Sequence, residues 1–260
     1  MSRLKKNLLG VTVLCVVGAG VFFYWLSGQY VVPIMMYHNV NYTQEARANT
    51  VSPENFERHM AYLKTHGFQV ISFNDFVSRI NAGGPIPKKS VVITFDDGYE
   101  DNYQYAFKIL KKYGFPAIVF LPSDFVNTRG YMTWEQIKEM RESGITIGSH
   151  TRRHIYLPDL PMEEMREEIK GSKSILERQL GVTVDYFAYP IGGFSEQIKQ
   201  MVREAGYKAA AATNRGYDRF NRDVFELKRI RFSDKDNRSD YLWMKLSGYY
   251  NLFREAKRPH

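Results

Sequence analysis

A chain of 260 residues, 44% hydrophobic and 25% charged, has ordinary globular composition, which excludes a disordered protein and allows one sizeable core. The formal charge of +8 overstates the basicity of the middle, because Arg3, Lys5 and Lys6 stand at one end and Lys257 and Arg258 at the other. With no Lys/Arg stripe interleaved with aromatics, nucleic acid is not an expected partner.

Residues 8–26 carry no charge and are about long enough to cross a bilayer as one helix. The basic residues 3, 5 and 6 before them favour an inside N-terminus, with Tyr24 and Trp25 at the far interface and the remainder outside the cytoplasm. A cleaved signal peptide competes, since Gly18-Ala19-Gly20 offers small residues to a peptidase, but the apolar run continues six residues further. The single cysteine, Cys15, lies in this segment, so neither an intrachain disulfide nor a cysteine zinc site is expected; bulky Leu14 before it speaks against a lipoprotein signal. The expected organisation is a basic tail (1–7), an anchor or signal (8–26), a linker (27–32), a catalytic domain (33–235) and a helical tail (236–260).

Val32 to His38 reads as the first strand. Ser52-Pro53 opens a helix with Phe56, Met60 and Leu63 on one face; His59 and His66 are expected on its surface. A strand over 68–73, a helix over 75–80 and a Gly83-Gly84-Pro85 turn follow. Val91, Val92, Ile93 and Phe95 suit a strand buried on both faces, and the run stops at Asp96-Asp97-Gly98. Asp-Asp-Gly alone could be a turn, but a parallel strand's carboxyl end is where ligands gather in α/β proteins.

Further along, a helix over 102–113, a strand over 116–121 and a Thr133-capped helix lead to Ile145-Thr-Ile-Gly-Ser-His150-Thr-Arg-Arg-His154. Two of the six histidines stand here, four positions apart. Two imidazoles and a carboxylate form a usual shell for a catalytic zinc. A helix over 161–180, strands over 184–189, 208–213 and 227–232, and a helix over 195–205 complete the pattern. The alternation implies parallel βα units without separating a closed barrel from an open sheet. The aromatic-rich stretch 240–253 is read as helical, packed on the domain or facing a membrane or partner.

Thr94-Phe95-Asp96-Asp97-Gly98 and Ser149-His150-Thr151-Arg152-Arg153-His154 together resemble the first two motifs of the polysaccharide deacetylases, carbohydrate esterase family four. The resemblance covers roughly residues 33 to 232. It implies an α/β fold, a distorted (β/α) barrel of seven or eight strands, here preceded by the transmembrane helix. It implies also Asp96 as general base and a divalent metal on Asp97, His150 and His154. Zinc suits that set best, with cobalt, iron, nickel and manganese possible. Asp96 and Asp97 can serve both tasks only if the chain turns at Asp97, which Gly98 permits.

Phe187 to Gly193 falls where the family's third motif belongs, with Tyr189 and Pro190 as expected substrate contacts and the Ile191 backbone N–H as oxyanion donor. Many members carry an Arg at the position of Ala188; here Arg229 is the candidate replacement, the alternative being a surface ion pair. The family's late Leu-x-His motif is missing too. His38, in a stretch resembling the poly-N-acetylglucosamine deacetylase branch, is the candidate general acid, unless it serves only to hydrogen-bond within the barrel. The expected function is metal-dependent removal of N-acetyl groups from a polymeric N-acetylhexosamine at the cell surface. A non-catalytic carbohydrate-binding protein and a small-amide hydrolase are the alternatives.

Overall fold

The computed structural model describes residues 3–42, 49–254 and 258–259, without the side chains of residues 3–11 and 253. Ten strands occur among them: β1 Ile34–Tyr37, β2 Asn39–Val40, β3 Thr50–Val51, β4 Gln69–Val70, β5 Ser90–Phe95, β6 Ile118–Leu121, β7 Thr146–Ser149, β8 Tyr186–Ala188, β9 Ala209–Ala211 and β10 Ile230–Arg231. The main sheet runs β10-β1-β5-β6-β7-β8-β9, all parallel, with β4 beside the first half of β5.

The segment leading into β10 closes this sheet into a distorted barrel. Leu227 bridges to Ala211 in β9, the Arg229 N–H donates to the Thr213 carbonyl, and Ile230 and Arg231 then pair with Met35 and Met36 in β1. The expected barrel is therefore present, while β2 and β3, a short separate pair near the mouth, were not anticipated.

Strand alternation divides the core in two. Ile34, Val92, Ile118, Phe120, Tyr186, Ala188, Ala209 and Ala211 face inward and pack with Phe73, Phe76 and Val77 of the helix Phe73–Asn81. Met35, Tyr37, Ile93, Phe95, Val119, Leu121 and Phe187 face outward under the covering helices. Those helices begin where Ser or Thr can accept an orphan backbone N–H: Ser52 caps Pro53–Thr65, Thr133 forms a capping box on Trp134–Glu142, and Ser195 caps Glu196–Glu204.

Two expected helices each contain a π-helical stretch, Asn102–Phe107 and Glu167–Gly171. The strand expected over 68–73 is cut to two residues because Ser72 caps the next helix at Phe73.

The expected anchor 8–26 falls on the helix Arg3–Ser27, partly outside the described side chains. Among the described residues no helix is long and apolar enough to cross a membrane, so the structure does not carry the transmembrane part of the expected fold. Within the expected linker, Val31 donates its N–H to Gly248 and Tyr30 meets Tyr249 edge-on, so this stretch is packed on the C-terminal tail. The tail forms helices Ser239–Leu246 and Tyr250–Phe253, burying Leu242 and Leu246.

His59 is a correction. It is fully buried rather than on the helix surface, accepting from the Tyr37 hydroxyl at 2.9 Å and donating to the Asp236 carbonyl at 3.0 Å. A carbonyl can only accept, so Nε2 carries the proton. His66 is exposed as expected, stacked on Tyr62.

Candidate active site

Thr94 faces inward, where its Oγ1 donates to the Met35 carbonyl, and by alternation so does Asp96. At Asp97 the backbone enters the left-handed region with φ 71°, and Gly98 follows with φ 69°. A side chain on Gly98 would also strike Leu121 Cδ2 at 2.5 Å, so conformation and space both require glycine. This turn brings the second carboxylate to the same mouth as the first, as the two tasks demand.

The histidine loop leaves β7 and is sewn to the neighbouring strand end: Ser123 and Asp124 donate their N–H groups to the Thr151 and Arg152 carbonyls. Buried Glu168 accepts the backbone N–H groups of Arg152 and Arg153, each at 2.9 Å, and Arg153 Nε at 2.6 Å. Thr151 and His154 both have positive φ, and Thr151 Oγ1 accepts the His154 N–H. Counting Asp97 and Ile191, four non-glycine residues at the mouth hold this costly conformation, which persists where surrounding structure over-determines it.

His150 Nε2 lies 3.6 Å and His154 Nε2 3.2 Å from the same oxygen, Asp97 Oδ1. One ligand atom from each of the three residues falls within 4.8 Å of the others. Asp97 Oδ1 is buried with no hydrogen-bond partner, a costly state for a carboxylate oxygen unless a cation meets it. The second imidazole nitrogen is committed as a metal ligand's usually is: His150 Nδ1–H donates to the Ala188 carbonyl at 2.8 Å, leaving Nε2 free. Burial pushes the His150 pKa down to about 4 against the pull of Asp96, so the ring is neutral near pH 7. The donor set fits a divalent metal.

Asp96 has a different partner. Arg229, fully buried, grips both its oxygens, NH1 to Oδ1 at 2.6 Å and NH2 to Oδ2 at 2.7 Å. Its Nε donates to the Ala212 carbonyl, NH1 also reaches Thr94 Oγ1, and the guanidinium lies over the Phe120 ring at 5.4 Å. Ala188, Ala211 and Gly148 leave room beside Phe120; a Cβ on Gly148 would meet that ring at 2.5 Å. Burial alone would raise the Asp96 pKa, but Arg229 with His150 holds it well below the usual carboxylate range. Arg229 is thus no surface ion pair: it reaches Asp96 from the segment that leads into β10.

His38 follows β1 at the mouth, its carbonyl accepting from Asn102 Nδ2 at 2.7 Å and its Nδ1 buried without a partner. Burial lowers its pKa and the nearby Asp96 and Asp97 charges oppose that. Ile191 has φ 58° and an exposed side chain.

Tyr189 and Pro190 do not form the expected substrate contact. Alternation along β8 turns Tyr189 outward, where it is fully buried, stacked on Phe194 and donating its hydroxyl to the Phe225 carbonyl; Pro190 is also buried. Two groups escaped the sequence reading. One is Glu168, which looks like any helix carboxylate. The other is an aromatic wall beside Asp97 in which Tyr99 stacks on Tyr131 at 5.2 Å and Phe125 meets Tyr131 at 4.9 Å.

The family model for polysaccharide deacetylases matches residues 83–210. A Bacillus subtilis protein classed among the polysaccharide deacetylases, YxkH, is 32% identical over 202 residues, covering 78% of this chain and 71% of that protein. The chain belongs to the polysaccharide deacetylase family. A Staphylococcus aureus poly-beta-1,6-N-acetyl-D-glucosamine N-deacetylase is 26% identical over 209 residues, 74% of this chain and 71% of that enzyme. Among solved structures, the Streptococcus pyogenes deacetylase PplD, in complex with acetate, superposes with TM-score 0.73 at 30% identity, covering 78% of this chain and 92% of that one. IcaB from Ammonifex degensii superposes with TM-score 0.73 at 25% identity, covering 83% and 97%. The resemblance carried by the two motifs thus extends to the whole barrel of this polysaccharide deacetylase.

Proposed function

We propose that this deacetylase hydrolyses N-acetyl groups of a polymeric N-acetylhexosamine of the poly-N-acetylglucosamine type, using a divalent metal held by Asp97, His150 and His154. The observation that carries this reading is the division of labour between adjacent carboxylates: Asp97 Oδ1 meets both imidazoles, while both Asp96 oxygens are bound by Arg229. A metal held there supplies Lewis-acid activation of water and of the acyl oxygen, and zinc suits the donors best.

The chain's own groups do the remaining work. Asp96, ionised at any working pH, accepts the proton of the attacking water, and Arg229 fixes its orientation. The Ile191 backbone N–H, on a loop with φ 58°, is the donor for the developing oxyanion. His38, at the mouth end of β1, gives a proton to the leaving amine from its imidazolium form, which the nearby Asp96 and Asp97 charges favour against burial. The Tyr99–Tyr131 wall beside Asp97 offers an apolar face for a sugar ring. The basic residues before the uncharged segment 8–26 support a membrane-held catalytic domain outside the cytoplasm, which protease shaving of intact cells tests.

The deciding experiment measures acetate released from β-linked N-acetylglucosamine oligomers. Release that is abolished by chelator and restored by zinc or cobalt is the expected result. A metal-loaded protein that binds the oligomers and releases no acetate overturns the enzymatic reading in favour of a carbohydrate-binding protein.

A further inference from the structure

Outside the mouth, the barrel's closing strand and the C-terminal tail form an open cavity of about 330 Å³ lined by Arg231, Lys235, Asp236, Tyr241, Lys245 and Arg254. That volume is at the small end of ligand sites, about 300–1,000 Å³, and leaves room for roughly one sugar unit. Its charge is one-sided. Lys245 is paired with Asp236 at 2.5 Å and donates to the Arg231 carbonyl. Among the described residues no carboxylate pairs with Arg231, Lys235 or Arg254.

Arg254 is the telling member. It is partly buried, and its hydrogen bonds to described residues use NH1 alone, toward the Arg229 carbonyl at 3.0 Å and Asn251 Oδ1 at 3.4 Å. Two more deeply buried cations are neutralised, Arg229 by Asp96 and Lys199 by Asp223 and Glu226, whereas buried Lys228, like Arg254, has no carboxylate within ion-pair distance among the described residues. Among the described residues this partly desolvated guanidinium has donors to spare and no carboxylate partner, an arrangement able to receive an anion.

One lining residue links the cavity to the candidate active site. Arg231 pairs in register with Met36, two residues before His38, and its charge acts on both His38 and Arg254. Tyr241 and Tyr250 stand in the same lining and supply ring faces of the kind sugars stack on.

We propose that this cavity is a subsite for an anionic unit of the glycan, a sugar bearing a carboxylate or a phosphate, bound while the acetamide of another unit lies at Asp96 and Asp97. The inference rests on the deacetylase reading. Arg254 and Lys235 recognise the anion, the tyrosines the sugar ring, and the enzyme prefers a polymer carrying both N-acetyl groups and negative charge.

The test uses the full metal-loaded chain and two oligomers of equal length, one neutral and one with a single unit carrying a 3-O-lactyl carboxylate or a 6-phosphate. The expected KM for the anionic oligomer is about tenfold lower at low salt, the effect of one charge-assisted contact, and the gap narrows as salt is raised. The double substitution Lys235→Gln, Arg254→Gln is expected to remove this preference and leave kinetics on the neutral oligomer unchanged. Lys235→Gln alone, at an exposed position, is expected to keep the melting temperature and lose part of the preference.

Equal KM values in the wild type, or an equal loss on both oligomers in the double variant, overturn the proposal. So does a preference that is absent for glycans while phosphatidylglycerol vesicles bind in a Lys235- and Arg254-dependent manner, which assigns the cavity to a lipid headgroup. Failure to release acetate from either oligomer strikes the deacetylase reading instead. Calorimetric binding of the anionic against the neutral oligomer then still decides the subsite.

Discussion

The histidine loop draws its support from nearby sequence, since Glu168 is only 15 and 16 positions from the two arginines whose backbone it binds, whereas the Asp96 carboxylate is held by Arg229, 133 positions away. The first arrangement is a local clamp on a loop. The second is part of closing the barrel, because Arg229 sits on the segment that joins β9 to β1. Changes in the clamp should therefore act on metal binding, and changes on the closing side on the base and on the whole fold.

The sharpest break in that comparison is expected from the adjacent carboxylates. Asp96→Asn should retain metal and lose about 10²- to 10⁴-fold in turnover, whereas Asp97→Asn should lose metal. The opposite pattern of metal content would invert the roles. His38→Ala should resemble Asp96→Asn in kinetics, with metal and melting temperature preserved; near-normal turnover in a well-folded variant would leave His38 a structural residue.

Next in size is Arg229→Ala. It strands Asp96 as an unpaired buried charge and removes a bond to the Ala212 carbonyl, so a loss of about 3–5 kcal/mol in denaturant unfolding is expected. Arg229→Lys keeps the charge without the two-pronged grip and should recover only part of this. A loss under 1 kcal/mol would show that closure does not depend on this pair.

How much of this the sequence disclosed follows the same division. The two motifs and the turn at Asp97 are local patterns and were legible in it, whereas the barrel came only through the family resemblance those motifs carry, since alternating strands and helices fit an open sheet equally well. Arg229 was legible only as a candidate, since nothing in Leu227 to Arg231 says which strand end its side chain will reach. Tyr189 was misassigned because motif position suggested the mouth while strand alternation sends it to the outer layer. His59 was missed because its partners, Tyr37 and Asp236, lie 22 and 177 positions away.

His59 gives the closing side a pH signature. Burial pushes its pKa down to about 4 from an ordinary 6.5. In the unfolded chain it takes a proton near 6.5, while the folded protein resists until about 4, so its contribution is intact above 6.5 and is lost as pH falls through this window. The expected loss is roughly 3 kcal/mol. His150 has the same sign of shift, so the slope belongs to His59 only as the difference between wild type and His59→Gln in denaturant unfolding across pH 4.5 to 7.5. Parallel slopes would remove His59 from the account.

The smallest expected effect probes the clamp itself. Glu168 uses one oxygen for both backbone N–H groups and the other for Arg153 Nε, so all three partners are donors. Glu168→Gln replaces one acceptor by an NH₂ group and turns one of these contacts donor against donor. Since the loop carries His150 at one end and His154 at the other, its loosening should cost about 10- to 100-fold in metal affinity, the usual effect of losing a group that orients metal ligands. Arg152→Ala removes the partly exposed pairs to Asp124 and Glu167 and should change stability by less than about 1 kcal/mol, with metal affinity nearly intact. Competition with a chelating dye reads both affinities without turnover. If Glu168→Gln left affinity unchanged and Arg152→Ala lowered it, the loop would be held from its outer side by Asp124, and the clamp would have to be reassigned to the arginine.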